Sequence, residues 1–104
     1  MNLDKNWVLQ VDPAVYKTLE KFPRQDRERV YFAIKNLVFN PFLGDIQKMK
    51  GEQNSWRRRI GSYRIFYEIL FQERIIYVFK TERRTSNTYW LYEILLGSII
   101  ISNY

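Results

Sequence analysis

Apolar positions recur with two different periods along this chain, and the period changes near its middle. Trp7–Val11, reading Trp-Val-Leu-Gln-Val, predicts a short strand. Asp12-Pro13 follows as an N-cap and first helical residue. Val15, Leu19 and Phe22 fall at i, i+4 and i+7, which predicts a helix over about 13–22, broken by Phe22-Pro23. Val30, Ile34, Leu37 and Val38 keep that spacing, so a second helix is expected over about 24–40, ended by Asn40-Pro41. Phe42–Ser55, with Gly44 and Gly51, reads as loop. Beyond it the period becomes two. Trp56–Ile60, Ser62–Phe71 and Ile75–Glu82 predict three strands, joined by the short polar connections Gly61-Ser62 and Gln72-Glu73. The expected order is β-α-α-β-β-β. That is an α+β fold, with a two-helix hairpin packed on a mainly antiparallel sheet.

Alternation assigns side chains to faces. Tyr63, Ile65, Tyr67, Ile69 and Phe71 form one continuous apolar row, expected on the core side. Ser62, Arg64, Phe66, Glu68 and Leu70 form the opposite row. On the preceding strand Arg57 and Arg59 share a face, with Trp56, Arg58 and Ile60 on the other. Arg57 and Arg59 are expected beside Arg64, where guanidinium groups would bind phosphate bidentately and Phe66 could stack on unpaired bases. Trp7, Phe22, Phe32, Ile65, Tyr67 and Ile69 are expected in the core, and Glu68 is expected to pair with an arginine.

Charge sharpens this picture. The 104 residues carry 17 Lys and Arg against 11 Asp and Glu, a net charge of +6. Residues 48–84 hold ten basic and four acidic side chains, so the excess sits entirely in the middle third. Such a patch suits a polyanionic or acidic partner. The chain has no Cys and no His, which excludes disulfides, cysteine nucleophiles, Ser-His-Asp catalysis and the usual zinc sites. Neither a metal nor a cofactor is expected. The longest strongly apolar stretch, about 11 residues with a Glu inside, is too short to span a bilayer. A soluble, cytoplasmic protein with no membrane partner is expected.

Lys48-Met49-Lys50-Gly51, then Trp-Arg-Arg-Arg-Ile-Gly-Ser-Tyr-Arg-Ile-Phe-Tyr over 56–67, then Arg83 and Tyr89, resemble the RelE toxins of the RelE/ParE superfamily. The resemblance covers roughly residues 6–89. It implies a single toxin domain over 1–89, followed by an apolar extension, 90–104, of open role. It further implies the toxin of a type II toxin–antitoxin system, acting as a ribosome-dependent messenger-RNA endoribonuclease. In such toxins the 2′-hydroxyl of one nucleotide attacks the adjacent phosphate and expels the next 5′-oxygen.

By motif position, the resemblance assigns Arg57 and Arg59 to two basic-strand sites that are often lysine in the family. Arg64 corresponds to the phosphate-stabilising arginine. Arg83, six residues before Tyr89, corresponds to the arginine that protonates the leaving group, and Tyr89 to the tyrosine that stacks on the cleaved nucleotide. Lys48, Lys50, Arg58, Lys80 and Arg84 are candidate contacts to messenger or ribosomal RNA. The implied partners are a cognate antitoxin whose acidic segment wraps the toxin, the A site of the 70S ribosome, and messenger RNA. Arginine in place of lysine leaves the general base open between Tyr89, a water and a phosphate oxygen, because arginine does not give up its proton. The alternative within the superfamily is a ParE-like toxin that inhibits DNA gyrase by protein binding.

Overall fold

The computed structural model describes residues 7–83. The elements are β1 (Val8–Val11), α1 (Pro13–Leu19), α2 (Arg24–Lys35), β2 (Ile46–Lys48), β3 (Ser55–Ile60), β4 (Tyr63–Leu70) and β5 (Ile75–Arg83). They form one five-stranded sheet in the order β1-β5-β4-β3-β2. The last four strands are a continuous antiparallel meander, and β1 joins its far edge parallel to β5. The α+β architecture expected from the change of period is the one observed.

Asp12 begins α1: its carboxylate accepts from the Ala14 amide at 2.9 Å, and Pro13 takes the first helical position. The same carboxylate accepts from the Tyr77 hydroxyl at 2.9 Å, which ties the helix start to β5. These two bonds hold the Asp12 carboxyl below its ordinary value. Val30, Ala33 and Ile34 of α2, with Leu37 from the 3-10 turn that follows it, pack on the sheet against Tyr63, Ile65, Tyr67, Ile69, Ile76 and Val78. The two core tyrosines satisfy their hydroxyls as they enter. Tyr63 donates to Asp26 Oδ2 at 2.7 Å, and Tyr67 donates to the Pro41 carbonyl at 2.5 Å.

Four expectations change. Phe32 is 68% exposed, because it stands about 200° around the helix from Val30 and misses the stripe facing the sheet. Phe71 leaves the core row and is exposed, since β4 ends at Leu70 and Phe71 opens the turn to β5. The second helix ends at Lys35 and tightens into a single 3-10 turn, Asn36–Val38, where the Asn36 side-chain amide donates to the Phe32 carbonyl at 2.7 Å. Within the stretch read as loop, Ile46–Lys48 pairs with β3 as a three-residue edge strand, too short to show a period.

Candidate functional site

Gly61 and Ser62 close the β3–β4 hairpin with a two-residue turn, in which Gly61 takes φ 56°. The turn fixes the register Arg59↔Arg64 and Arg57↔Phe66. On the other side of β4, Arg64 faces Glu82 and Phe66 faces Lys80. On the other side of β3, Gln47 faces Arg57. Two rows therefore cross the outer face of the sheet, away from the helices. One runs Arg59, Arg64, Glu82. The other runs Gln47, Arg57, Phe66, Lys80. They lie two residues apart along the strands, about 7 Å.

A β-bulge sets the last strand's contribution. Between Phe66 and Tyr67 the register with β5 slips by one: Phe66 faces Lys80, but Tyr67 faces Val78. Phe79 is the extra residue, and its ring lies 6.3 Å from both Phe66 and Tyr77. Before the bulge Ile76 and Val78 point to the core; after it the buried side chain is Thr81. The change of phase brings Lys80 and Glu82 to the arginine face and sends Arg83 to the helix side.

Each arginine of the face is held by an acceptor on a neighbouring segment. Arg57 Nη2 donates to Gln47 Oε1. Arg59 Nε lies 3.7 Å from Asp45 Oδ2. Arg64 Nη1 donates to Glu82 Oε2 at 3.2 Å, and the other oxygen of Glu82 is 3.4 Å from Lys80 Nζ. Lys80 Nζ also stands 5.4 Å from the Phe66 ring centroid. Among the described residues the Arg64 Nε has no hydrogen-bond partner. The backbone beneath is fastened by Thr81, whose hydroxyl donates to the Arg64 carbonyl at 2.9 Å.

The structure thus brings Arg57, Arg59, Arg64 and Lys80 together. Arg83 is placed elsewhere: it faces Tyr63 in the register, and its guanidinium lies 5.9 Å from that ring. Arg58 is also on the helix side, beneath Gly44, where a Cβ would come within 3.0 Å of Arg58 Nε. Lys48 is exposed at the sheet edge on the Trp56 side, and Lys50 is exposed in the following turn. Arg84, Tyr89 and the division at residue 89 lie outside the described residues. The acid paired with Arg64 is Glu82. Asp45, Gln47 and Glu82 were not singled out from sequence, because only the strand register identifies them as neighbours of the arginines.

A family model described as the ParE toxin of type II toxin-antitoxin systems matches residues 9–87. The chain belongs to this toxin family, within the RelE/ParE superfamily. A curated relative, "Putative toxin RelE1" of Methanocaldococcus jannaschii, is 32% identical over 79 residues, covering 73% of this chain and 88% of the relative. A chain of an archaeal RelE–RelB complex from Pyrococcus horikoshii OT3 superposes with a TM-score of 0.67 at 23% identity, covering 76% of this chain and 96% of that one. A chain of the RelB–RelE antitoxin–toxin complex of Methanococcus jannaschii gives 0.61 at 27% identity, covering 78% and 96%. No helix of the described residues is long and apolar enough to cross a membrane.

Proposed function

We propose that this toxin is a ribosome-dependent messenger-RNA endoribonuclease, working in the cytoplasm. The observation that carries the reading is the convergence of Arg57, Arg59 and Arg64 on one outward sheet face, with Phe66 and Lys80 between and beside them. Backbone cleavage by the 2′-hydroxyl develops negative charge on the phosphate oxygens. Fixed guanidinium groups stabilise that charge without reorganising, and their fork geometry matches the oxygens. Arg59 and Arg64, adjacent in one row, are assigned to the scissile phosphate. Arg57, in the next row, is assigned to a neighbouring one. Three arginines do not orient a flexible RNA alone, so the ribosome supplies positioning of the message in this reading.

The partner chains follow from the rest of the surface. Phe32, Phe39 and Leu43 are each at least 60% exposed and line a groove of about 350 Å³ that also takes in Arg29 and Arg58. An exposed apolar groove with a cationic rim suits a protein segment carrying apolar and acidic residues. We assign it to a cognate antitoxin, in line with the toxin–antitoxin complexes formed by the structural relatives.

The experiment is primer extension on a reporter message translated in vitro, with purified full-length protein, with and without ribosomes. Cuts at A-site codons that require ribosomes are the expected result. The description of the matching family model favours a second reading, a toxin that binds DNA gyrase. Intact message together with inhibited supercoiling in a parallel assay would establish that reading instead.

A further inference from the structure

The arginine face contains a carboxylate where a purely cationic phosphate site needs none. Glu82 ends the row Arg59, Arg64, Glu82, and its two oxygens are shared between Arg64 Nη1 at 3.2 Å and Lys80 Nζ at 3.4 Å. The bulge at Phe79 is what turns it outward; in a regular strand it would point toward the helices. Arg57, Arg59 and Arg64 do not serve as the proton acceptor, because a guanidinium does not give up its own proton, so another group takes that role. We infer that Glu82 is the general base for the 2′-hydroxyl, an assignment that rests on the nuclease reading above.

The step balances on this chain and the RNA alone, with one water. A Glu82 oxygen takes the proton of the 2′-hydroxyl. The 2′-oxygen forms its bond to the adjacent phosphorus, and the bond from phosphorus to the 5′-oxygen breaks. The departing oxygen keeps the electron pair and takes a proton from water, leaving a 2′,3′-cyclic phosphate and a 5′-hydroxyl. Arg64 would hold the phosphate and the base at once. That is the coupling a transferring proton needs, because base and phosphorus then keep a fixed separation.

Among the described residues, Glu68, Tyr77 and Asp45 are less well placed. Glu68 lies four residues further along β4 from Arg64, about 13 Å away. The Tyr77 hydroxyl is engaged by Asp12. Asp45 is 65% exposed on a loop and approaches Arg59 only to 3.7 Å, whereas Glu82 is 32% exposed on a strand and bridged by two cations. Among the described residues, the charged groups facing Glu82 are Arg64 from β4, with Arg59 beyond it on β3, and Lys80 from its own strand. Pairing with β1 stops at Val78 and brings none.

The test is single-turnover cleavage on programmed ribosomes across pH, comparing wild type, Glu82→Gln, Asp45→Asn and Glu73→Gln, with ribosome affinity and thermal melting recorded for each. Glu82→Gln should slow cleavage about 100-fold or more and lose the fall in rate toward acid pH, while melting and affinity hold. Glu73→Gln, in the β4–β5 turn, should match wild type. A Glu82→Gln rate within threefold of wild type would overturn the assignment. So would a slowed variant that keeps the acid limb or loses affinity, which would make Glu82 a brace for Arg64. Loss of the acid limb in Asp45→Asn instead would move the base to Asp45. Wild-type protein that leaves the message intact on ribosomes would remove the nuclease reading itself, and this inference with it.

Discussion

Arg64 has two duties that separate experimentally. Its carbonyl receives the Thr81 hydroxyl and belongs to the sheet, whereas its guanidinium reaches only Glu82 among the described residues. Arg64→Ala should therefore leave the fold intact and reduce cleavage about 100- to 1,000-fold, the usual loss when one fixed charge-stabilising donor is removed. Arg64→Lys should recover only part of it, because an ammonium lacks the fork. Circular dichroism and primer extension on the same preparations check both halves. Tyr67 is the opposite case, a residue whose chemistry serves stability. Burial pushes its pKa up to about 12 from 10.0, with the Arg58 charge opposing. The folded state favours the protonated phenol. This contribution is full below pH 10 and is lost as pH rises toward 12. Burial, and then the bond to Asp26, raise Tyr63 in the same sense. Thermal melting between pH 9 and 12 should show stability falling through that window. Tyr67→Phe should shrink the fall while costing about 1 kcal/mol near neutrality, through the lost bond to the Pro41 carbonyl.

At the scale of elements, the β3–β4 hairpin aligns the site, and Gly61 aligns the hairpin. Its φ of 56° suits glycine, and an added Cβ would meet Arg29 Nη2 at 3.0 Å, the far end of a side chain that can swing away. Backbone strain should then dominate. Gly61→Ala is expected to cost about 1–2 kcal/mol in urea unfolding. A loss within error would mean that the turn re-forms without the left-handed residue. The hairpin was legible in sequence because Gly-Ser punctuates two alternating runs, so Arg57, Arg59 and Arg64 could be put on one face by counting. The same counting fails on β5. A regular strand starting from Ile76 and Val78 would carry Lys80 and Glu82 inward and leave Arg83 outward. The extra residue at Phe79 reverses this, and an inserted residue leaves no mark in an apolar run. Phe32 misled for a related reason. Its type suggested burial, but its angle around α2 decided exposure. Gln47 and Asp45 were hidden because β2 is only three residues long, and register carries information that periodicity does not.

For the whole molecule, the sheet divides two kinds of surface. One side offers guanidinium groups in rows; the other offers Phe32, Phe39 and Leu43 around a groove. The net charge of +6 favours any polyanion, so affinity alone does not identify the working face. Salt dependence does, because each phosphate contact to single-stranded RNA releases counterion and contributes about −0.7 to the slope of log affinity against log salt. If Arg57, Arg59 and Arg64 each meet a phosphate, their joint contribution is about −2. Arg59→Ala should lower the slope's magnitude by about 0.7 on an unstructured RNA. Phe32→Glu, on the other side, should leave the slope unchanged while weakening capture by an antitoxin. Fluorescence anisotropy from 50 to 300 mM salt gives both numbers. An unchanged slope in Arg59→Ala would detach that arginine from the RNA. A shifted slope in Phe32→Glu would mean that RNA also wraps the helix side, and the division of labour between the two faces would then fail.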